Sequence, residues 1–347
     1  MENNNTKLKR VLGFAPAYGA AVGLVVSGTA MFSVGSVSGI TGNATFISAF
    51  IALIPMMMAA FAFGELTAML PGGGMISDYT LPALGRFWAT FALLSGYLVL
   101  IATDGGAQLV MGGLAFQRLS GVPQIMVTLL LLLIVVVINI VNVDFYGKIE
   151  SIVTIAMMVL FVLLAVLGNL HIGEMINVAT PVDSTNSFLP EGGWSAVLGA
   201  TGSAIWFFIG FEFACPMAEE NKKPYKYIPY ALITGLITIY VVDSLFAIAA
   251  VRYTDLEILK SSSTPQIEAA SAIMGKWGYI IMVTLTIMAS FTTANAYLAS
   301  LPRMLYGLSR QNLVPKCFSK INKRFRTPII GIIFTAVIIL ITIIYIT

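Results

Sequence analysis

Apolar residues run along most of this chain without the polar interruptions that a water-facing surface requires. Nine stretches are long and greasy enough to cross a bilayer, at about 13–38, 44–70, 87–115, 122–143, 149–170, 195–218, 228–252, 277–301 and 328–346. A spanning helix needs roughly 20 mostly apolar residues. The strands of a membrane barrel would alternate apolar and polar positions, and "VTLLLLLIVVVINIV" (residues 127–141) does not. The pattern therefore predicts an all-α polytopic membrane protein, because only helices and closed barrels satisfy their own backbone in lipid.

Composition agrees with that pattern. Of 347 residues, 58% are hydrophobic and 10% charged, and the mean hydropathy is +0.91. A soluble domain carries about a quarter charged residues. The formal net charge of +3 is too small to point to nucleic acid. Cys215 and Cys317 have no paired spacing and His171 is the only histidine, so neither a disulfide nor a metal centre is expected, and His171 reads as an ordinary loop residue. The opening "MENNNTKLKR" is polar and basic, unlike a cleaved signal.

Loop charges orient the spans. With residues 1–12 as a cytoplasmic tail, 15 of the 19 Lys and Arg fall on inner loops; only Arg118, Arg252, Lys260 and Lys276 fall outside. The positive-inside rule thus predicts a multi-pass protein of the cell membrane with a cytoplasmic N-terminus. Residues 171–194 form an outer loop, too short and too polar for a separate domain.

Two spans are poorly made as continuous helices. The first contains "GLVVSGTAMFSVGSVSG" (Gly23–Gly39), whose centre, Ser27, Gly28, Thr29 and Ala30, is expected to be the interruption. The sixth contains "IWFFIGFEFACPMAEENKKP" (Ile205–Pro224), with Gly210, Glu212 and Pro216 close together. Glycine costs about 1 kcal/mol relative to alanine inside a helix, and broken backbone survives in lipid only where protein or a polar cavity satisfies it. Gly19, Gly23 and Ser27, spaced by four, also suit a helix-packing stripe. Spans one and six would open two five-helix repeats of opposite orientation, residues 13–170 and 195–347, with a site between the broken helices near the midplane. The second repeat reads as incomplete, stopping after its fourth helix, the ninth span.

Four motifs carry a family resemblance. "FFIGFEFACPMAEENKKPYKYIPYAL" (Phe207–Leu232), "PRMLYGLSRQNLVPKCFSKINKRFRTP" (Pro302–Pro328), "GELTAMLPGGGMISDYTLPALGRFWA" (Gly64–Ala89) and "GTAMF" (Gly28–Phe32) resemble, in order and spacing, motifs of the amino acid–polyamine–organocation permeases. Departures are Ala30 for a glycine, Met75 and Ile76 for Gly and Pro, and Met157 where proton-coupled relatives carry a lysine. The resemblance implies secondary active transport of amino acids or related amines by alternating access, by symport or antiport with H+ or Na+. It implies a substrate site at Val26, Ser27, Gly28, Thr29, Ala30, Trp206, Phe207, Ile209 and Gly210. Backbone N–H groups of Gly28, Thr29 and Ala30 would hold a carboxylate at a helix N-terminus. Carbonyls of Val26, Trp206, Phe207 and Ile209 would hold the ammonium, and the rings of Trp206, Phe207 and Phe208 would line or gate the pocket.

Three carboxylates lie inside spans: Asp104 in "IATDGGAQL", Glu212 and Asp243. Each is expected to face the bundle interior. Asp104 and Glu212 are candidates for substrate or proton coupling, against buried hydrogen-bonding roles; for Glu212 that role is to bind backbone freed by the helix break. No cofactor is expected. Membrane-enzyme motifs such as HExxH and GxSxG do not occur. An amino-acid-binding sensor that no longer transports, or a permease fragment, is the alternative to a carrier.

Overall fold

A computed structural model describes residues 13–347 apart from 73, 142, 183–186, 323, 324 and 326. Its thirteen α-helices are α1 (Phe14–Gly23), α2 (Gly28–Thr41), α3 (Thr45–Met69), α4 (Ile76–Phe91), α5 (Val99–Ser120), α6 (Gln124–Val141), α7 (Val143–Asn169), α8 (Ile172–Met175), α9 (Gly193–Ala204), α10 (Pro224–Tyr253), α11 (Leu256–Ser261), α12 (Pro265–Arg310) and α13 (Ile329–Ile346). No strand occurs among the described residues.

Eight continuous helical stretches are long and apolar enough to cross a membrane, against nine expected spans. The difference lies in span one. Its first half α1 and second half α2 are too short to count alone, and α2 passes through the 3-10 turn Gly42–Ala44 straight into α3. Elsewhere the helices overrun the apolar runs. α12 begins at Pro265, before the expected residue 277, and bends where Met274 (φ −134°) and Gly275 (φ 57°) leave helical geometry. The polar stretch before that bend is a separate helical arm that hydropathy alone leaves out.

The spans pack as two groups. Spans one, two, six and seven associate through α3 on α10, α1 on α10, and α9 on α2 and α3; spans three, four, eight and nine associate through α5 on α12 and α13, with α6 beside them. Of the two apolar clusters, the larger spans both groups, joining residues such as Val34 and Leu236 to Ile101 and Leu285. The smaller joins Leu109, Val110, Leu132, Val135, Leu298 and Ile339, all from the second group. Close approach of α5 and α12 depends on Gly112, where a Cβ would lie 2.8 Å from Ser290 Cβ. α7 touches members of both groups, so the seam between them is where a ligand site can form.

Ion pairs join span ends at one end of the bundle. Arg118 Nη1 donates to Glu268 Oε1 at 2.6 Å, tying the end of α5 to the start of α12. Glu174 on α8 accepts from Tyr253 Oη at 2.6 Å and from Arg252 Nε at 3.0 Å, tying the loop after span five to the end of span seven. His171, in a left-handed conformation (φ 56°), lies 3.1 Å from Tyr253 Oη and 3.5 Å from Glu174 Oε1.

The Tyr253 hydroxyl, with Arg252 beside it, holds the Glu174 carboxyl below the usual glutamate range. A folded-state value below the unfolded one means the latch contributes fully above the unfolded value and is lost as pH falls through the folded one. The protection factors of the described amides in 171–182, taken relative to intrinsic exchange at each pH, are therefore expected to be high at pH 7 and to drop below about pH 4, the ordinary range for glutamate. Glu174→Gln should show low protection at both.

Candidate functional site

Span one leaves helical geometry at residues 24–27, not at 27–30 as its glycine pattern suggests. Val26 N–H still reaches Val22 O at 3.0 Å, and Ser27 N–H then turns to Val25 O at 2.7 Å. Ser27 is extended (φ −104°, ψ 162°) and its Oγ accepts from Ala30 N–H at 3.1 Å, so α2 begins at Gly28. Serine is among the best N-caps, and alanine the best interior residue, which moves the helix start ahead of Ala30. Gly28, Thr29 and Ala30 are thus the first turn of α2, where N–H groups lack intrahelical partners.

Span six breaks at the expected glycine. After α9 the chain tightens into a 3-10 turn at Ile205–Phe208, Ile209 is extended (φ −68°, ψ 133°), and Gly210 adopts φ 112°. The chain then continues as 3-10 helix over Phe211–Glu220. Gly210 N–H is received by Glu212 Oε2 at 3.2 Å. Only glycine takes that φ without strain, and a Cβ there would run into the Leu24 side chain. The two interruptions therefore touch.

Around them lies a buried polar cluster. Thr29 Oγ1 donates to Asp104 Oδ1 (3.0 Å) and receives Gln108 Nε2 (2.6 Å) and Trp206 Nε1 (3.1 Å). Tyr297 Oη donates to Asp104 Oδ2 at 2.6 Å. Gln108 Nε2 is also 3.4 and 3.3 Å from the two Asp104 oxygens, and its Oε1 accepts from Thr29 N–H at 3.3 Å. Asp104 is 6% exposed and Gln108 fully buried. Ser290 Oγ is buried without a partner and lies 3.1 Å from where a Cβ on Gly28 would be.

Of the residues singled out from sequence, Thr29, Trp206 and Asp104 meet directly. Ser27 caps the Ala30 N–H beside them, and Gly210 joins the breaks. Phe207 and Phe208 are packed in the core, leaving Trp206 as the one ring of the three in the cluster. Glu212 serves the Gly210 peptide and has no bond to the cluster. Asp243 is 6% exposed on α10 and has no hydrogen bond or ion pair among the described residues.

Sequence reasoning passed over Gln108, Tyr297 and Ser290. Gln108 had a usable signal, standing four residues after Asp104 and so on the same helix face. Tyr297 and Ser290 come from span eight, and nothing local links them to span three.

Residues 12–347 match the family model described as amino acid permease. The chain belongs to that family. It is similar to the lysine-specific permease LysP of Lactococcus lactis (28% identical, 97% of this chain, 69% of that protein). It also resembles the glutamate/serine transporter AimA of Bacillus subtilis (24%, 93% and 63%) and that organism's gamma-aminobutyric acid permease (26%, 84% and 63%). The chain thus spans about two thirds of the length of these relatives. Among solved structures, a Na+-coupled sialic acid symporter has TM-score 0.62 at 12% identity (97% of this chain, 75% of that one). The nucleobase-cation-symport-1 family transporter Mhp1 has 0.58 at 14% (99% and 74%). The permease thus has the inverted-repeat fold of secondary transporters, with discontinuous first and sixth spans, in a multi-pass membrane protein.

Gly210→Ala is expected to cost about 1–3 kcal/mol, the range for a non-glycine residue held in a forbidden backbone region. The melting temperature of the purified permease should fall by several degrees, and Leu24→Ala on that background should recover the part due to collision but not the backbone strain.

Proposed function

We propose that this permease moves a small amino acid or related amine across the cell membrane by alternating access, binding it where spans one and six are interrupted. The observation that carries the reading is the meeting of the two breaks, with Gly210 against Leu24 and Trp206 bonded to Thr29. Residues 13–170 and 195–347 are the two repeats in this reading, 171–194 the outer loop between them, and the N-terminus is cytoplasmic.

The substrate carboxylate binds at the start of α2, where the macrodipole favours an anion. Ser27 already takes the Ala30 N–H and Gln108 the Thr29 N–H. Substrate therefore displaces the Gln108 carbonyl, and its carboxylate accepts the Thr29 N–H in that carbonyl's place. Carbonyls of Val26, Trp206, Phe207 and Ile209 receive the ammonium, and the Trp206 ring closes over it. Asp104 fixes Thr29 and Tyr297 and faces the substrate side chain or the coupling ion, H+ or Na+.

Uptake of labelled lysine, serine, glutamate and γ-aminobutyrate into proteoliposomes, with and without a proton or sodium gradient, tests the reading. Accumulation of at least one above protein-free liposomes is expected; no accumulation and no binding of any would sink it. Asp104→Asn replaces one of the two oxygens that accept from Thr29, Gln108 and Tyr297 by a donor, a loss of about 1–3 kcal/mol for a buried group left unsatisfied. Apparent affinity should fall roughly ten- to hundredfold, or preference should move away from cationic substrates. Unchanged kinetics would exclude Asp104 from the site.

A further inference from the structure

The three carboxylates buried in the spans are unequally served. Asp104 is held by Thr29, Gln108 and Tyr297, and Glu212 by the Gly210 peptide. Asp243 is as little exposed as Asp104 and has no hydrogen-bond or ionic partner among the described residues. Away from water a carboxylate must be neutralised by a proton, a metal ion or a partner. A bare Asp243 is therefore a cost to the fold that a structural role does not explain.

Its position connects it to the transport pathway. Gly235, two turns earlier on α10, lies against Ala21 and Val22 of span one. Spans one and seven cross the bilayer in the same direction, and eight residues of helix rise ~12 Å. Asp243 is therefore level with the non-helical 24–27 segment and the first turn of α2. On the helix it projects midway between Tyr240, whose ring meets Phe50 of α3, and Phe246, whose ring meets Phe161 of α7. That direction is the bundle interior.

We propose that Asp243 is a proton carrier of this permease, separate from the substrate-contacting Asp104; the proposal rests on the transport reading above. In each cycle the Asp243 carboxylate takes one proton from water on the side where the bundle is open, travels as the neutral acid while enclosed, and gives the proton to water on the other side. A metal ion is disfavoured because it needs several oxygen ligands at once, whereas a proton needs only the carboxylate.

Groups on the surrounding elements leave this role to Asp243. On α1, Tyr18 donates to Thr238; α2 has no titratable group; on α3, Glu65 lies near the inner end. In the 3-10 stretch, Glu212 is bonded to Gly210 and Cys215 is buried without a disulfide. The described side chains of α7 include no titratable one. On α12, Tyr297 is bonded to Asp104, while Glu268, Lys276 and Tyr279 lie towards the outer end. On α10 itself, Tyr240 reaches Phe46 O, Arg252 and Tyr253 are engaged with Glu174, and Tyr225, Lys226, Tyr227 and Tyr230 lie at the inner end.

Two measurements on the full chain in liposomes test this. In infrared difference titration, the carboxylic-acid carbonyl absorption that grows with falling pH should contain a component present in the wild type and Asp104→Asn and missing from Asp243→Asn. In uptake of the same four labelled compounds, an inward proton gradient should stimulate the wild type several-fold and leave Asp243→Asn unstimulated, while Asp243→Asn retains substrate binding and counterflow exchange to within about threefold. Asp243→Glu should regain both band and stimulation, and serves as the test if the amide variant misfolds. An unaltered band in Asp243→Asn, a wild-type gradient response in that variant, or uptake driven by sodium alone would overturn the proposal. If the wild type transports nothing, the function reading fails, and the infrared result still decides whether Asp243 exchanges a proton.

Discussion

The hydrocarbon core offers no water to a peptide group, so every interruption of a spanning helix has to be satisfied by protein. This constraint shapes the centre of the molecule. Span one opens at 24–27 and restarts under a Ser27 cap; span six opens at Ile209–Gly210 and leans on the Glu212 carboxylate. Gln108 reaches across from span three to the Thr29 peptide. The freed donors are matched by backbone within the break, as Ser27 N–H is by Val25 O, or by a side chain of the same break or an adjacent span. The breaks can exist because they are placed together, with Gly210 lying on Leu24.

The polar cluster lies across the seam between the two packed groups. Thr29 and Trp206 come from spans one and six, whereas Asp104, Gln108 and Tyr297 come from spans three and eight. Apolar packing also crosses the seam, but it has no donors or acceptors to match, so these bonds add direction to the register between the groups. A bundle that rocks against its partner in the proposed cycle must exchange these bonds, and substrate groups are the natural replacements. Hydrogen bonds suit this because donors and acceptors can be traded one for one, while a buried apolar contact once opened has no substitute but water or lipid.

The end of the bundle that carries the ion pairs is linked differently. Arg118 with Glu268, and Glu174 with Arg252 and Tyr253, join span ends through exposed or half-exposed charges. Surface pairs of this kind are worth little each and are easily screened. They can hold a connecting loop in place without locking the helices beside it.

Much of this was legible in order along the chain. Apolar run length determined the spans, and the glycine at 210 and the small residues around 23–30 marked which two would break. Serine ahead of a glycine–threonine–alanine turn decided the exact restart of span one, and that depends on capping rather than on glycine count. Gln108 could be inferred from its i+4 spacing to Asp104. Tyr297, Ser290 and the isolation of Asp243 could not, because they are relations between helices far apart in sequence. Local sequence sets where a helix forms and where it fails, since those energies act within one or two turns. Which side chain meets which across the bundle depends on how helices settle against one another, and only the assembled tertiary structure decides that.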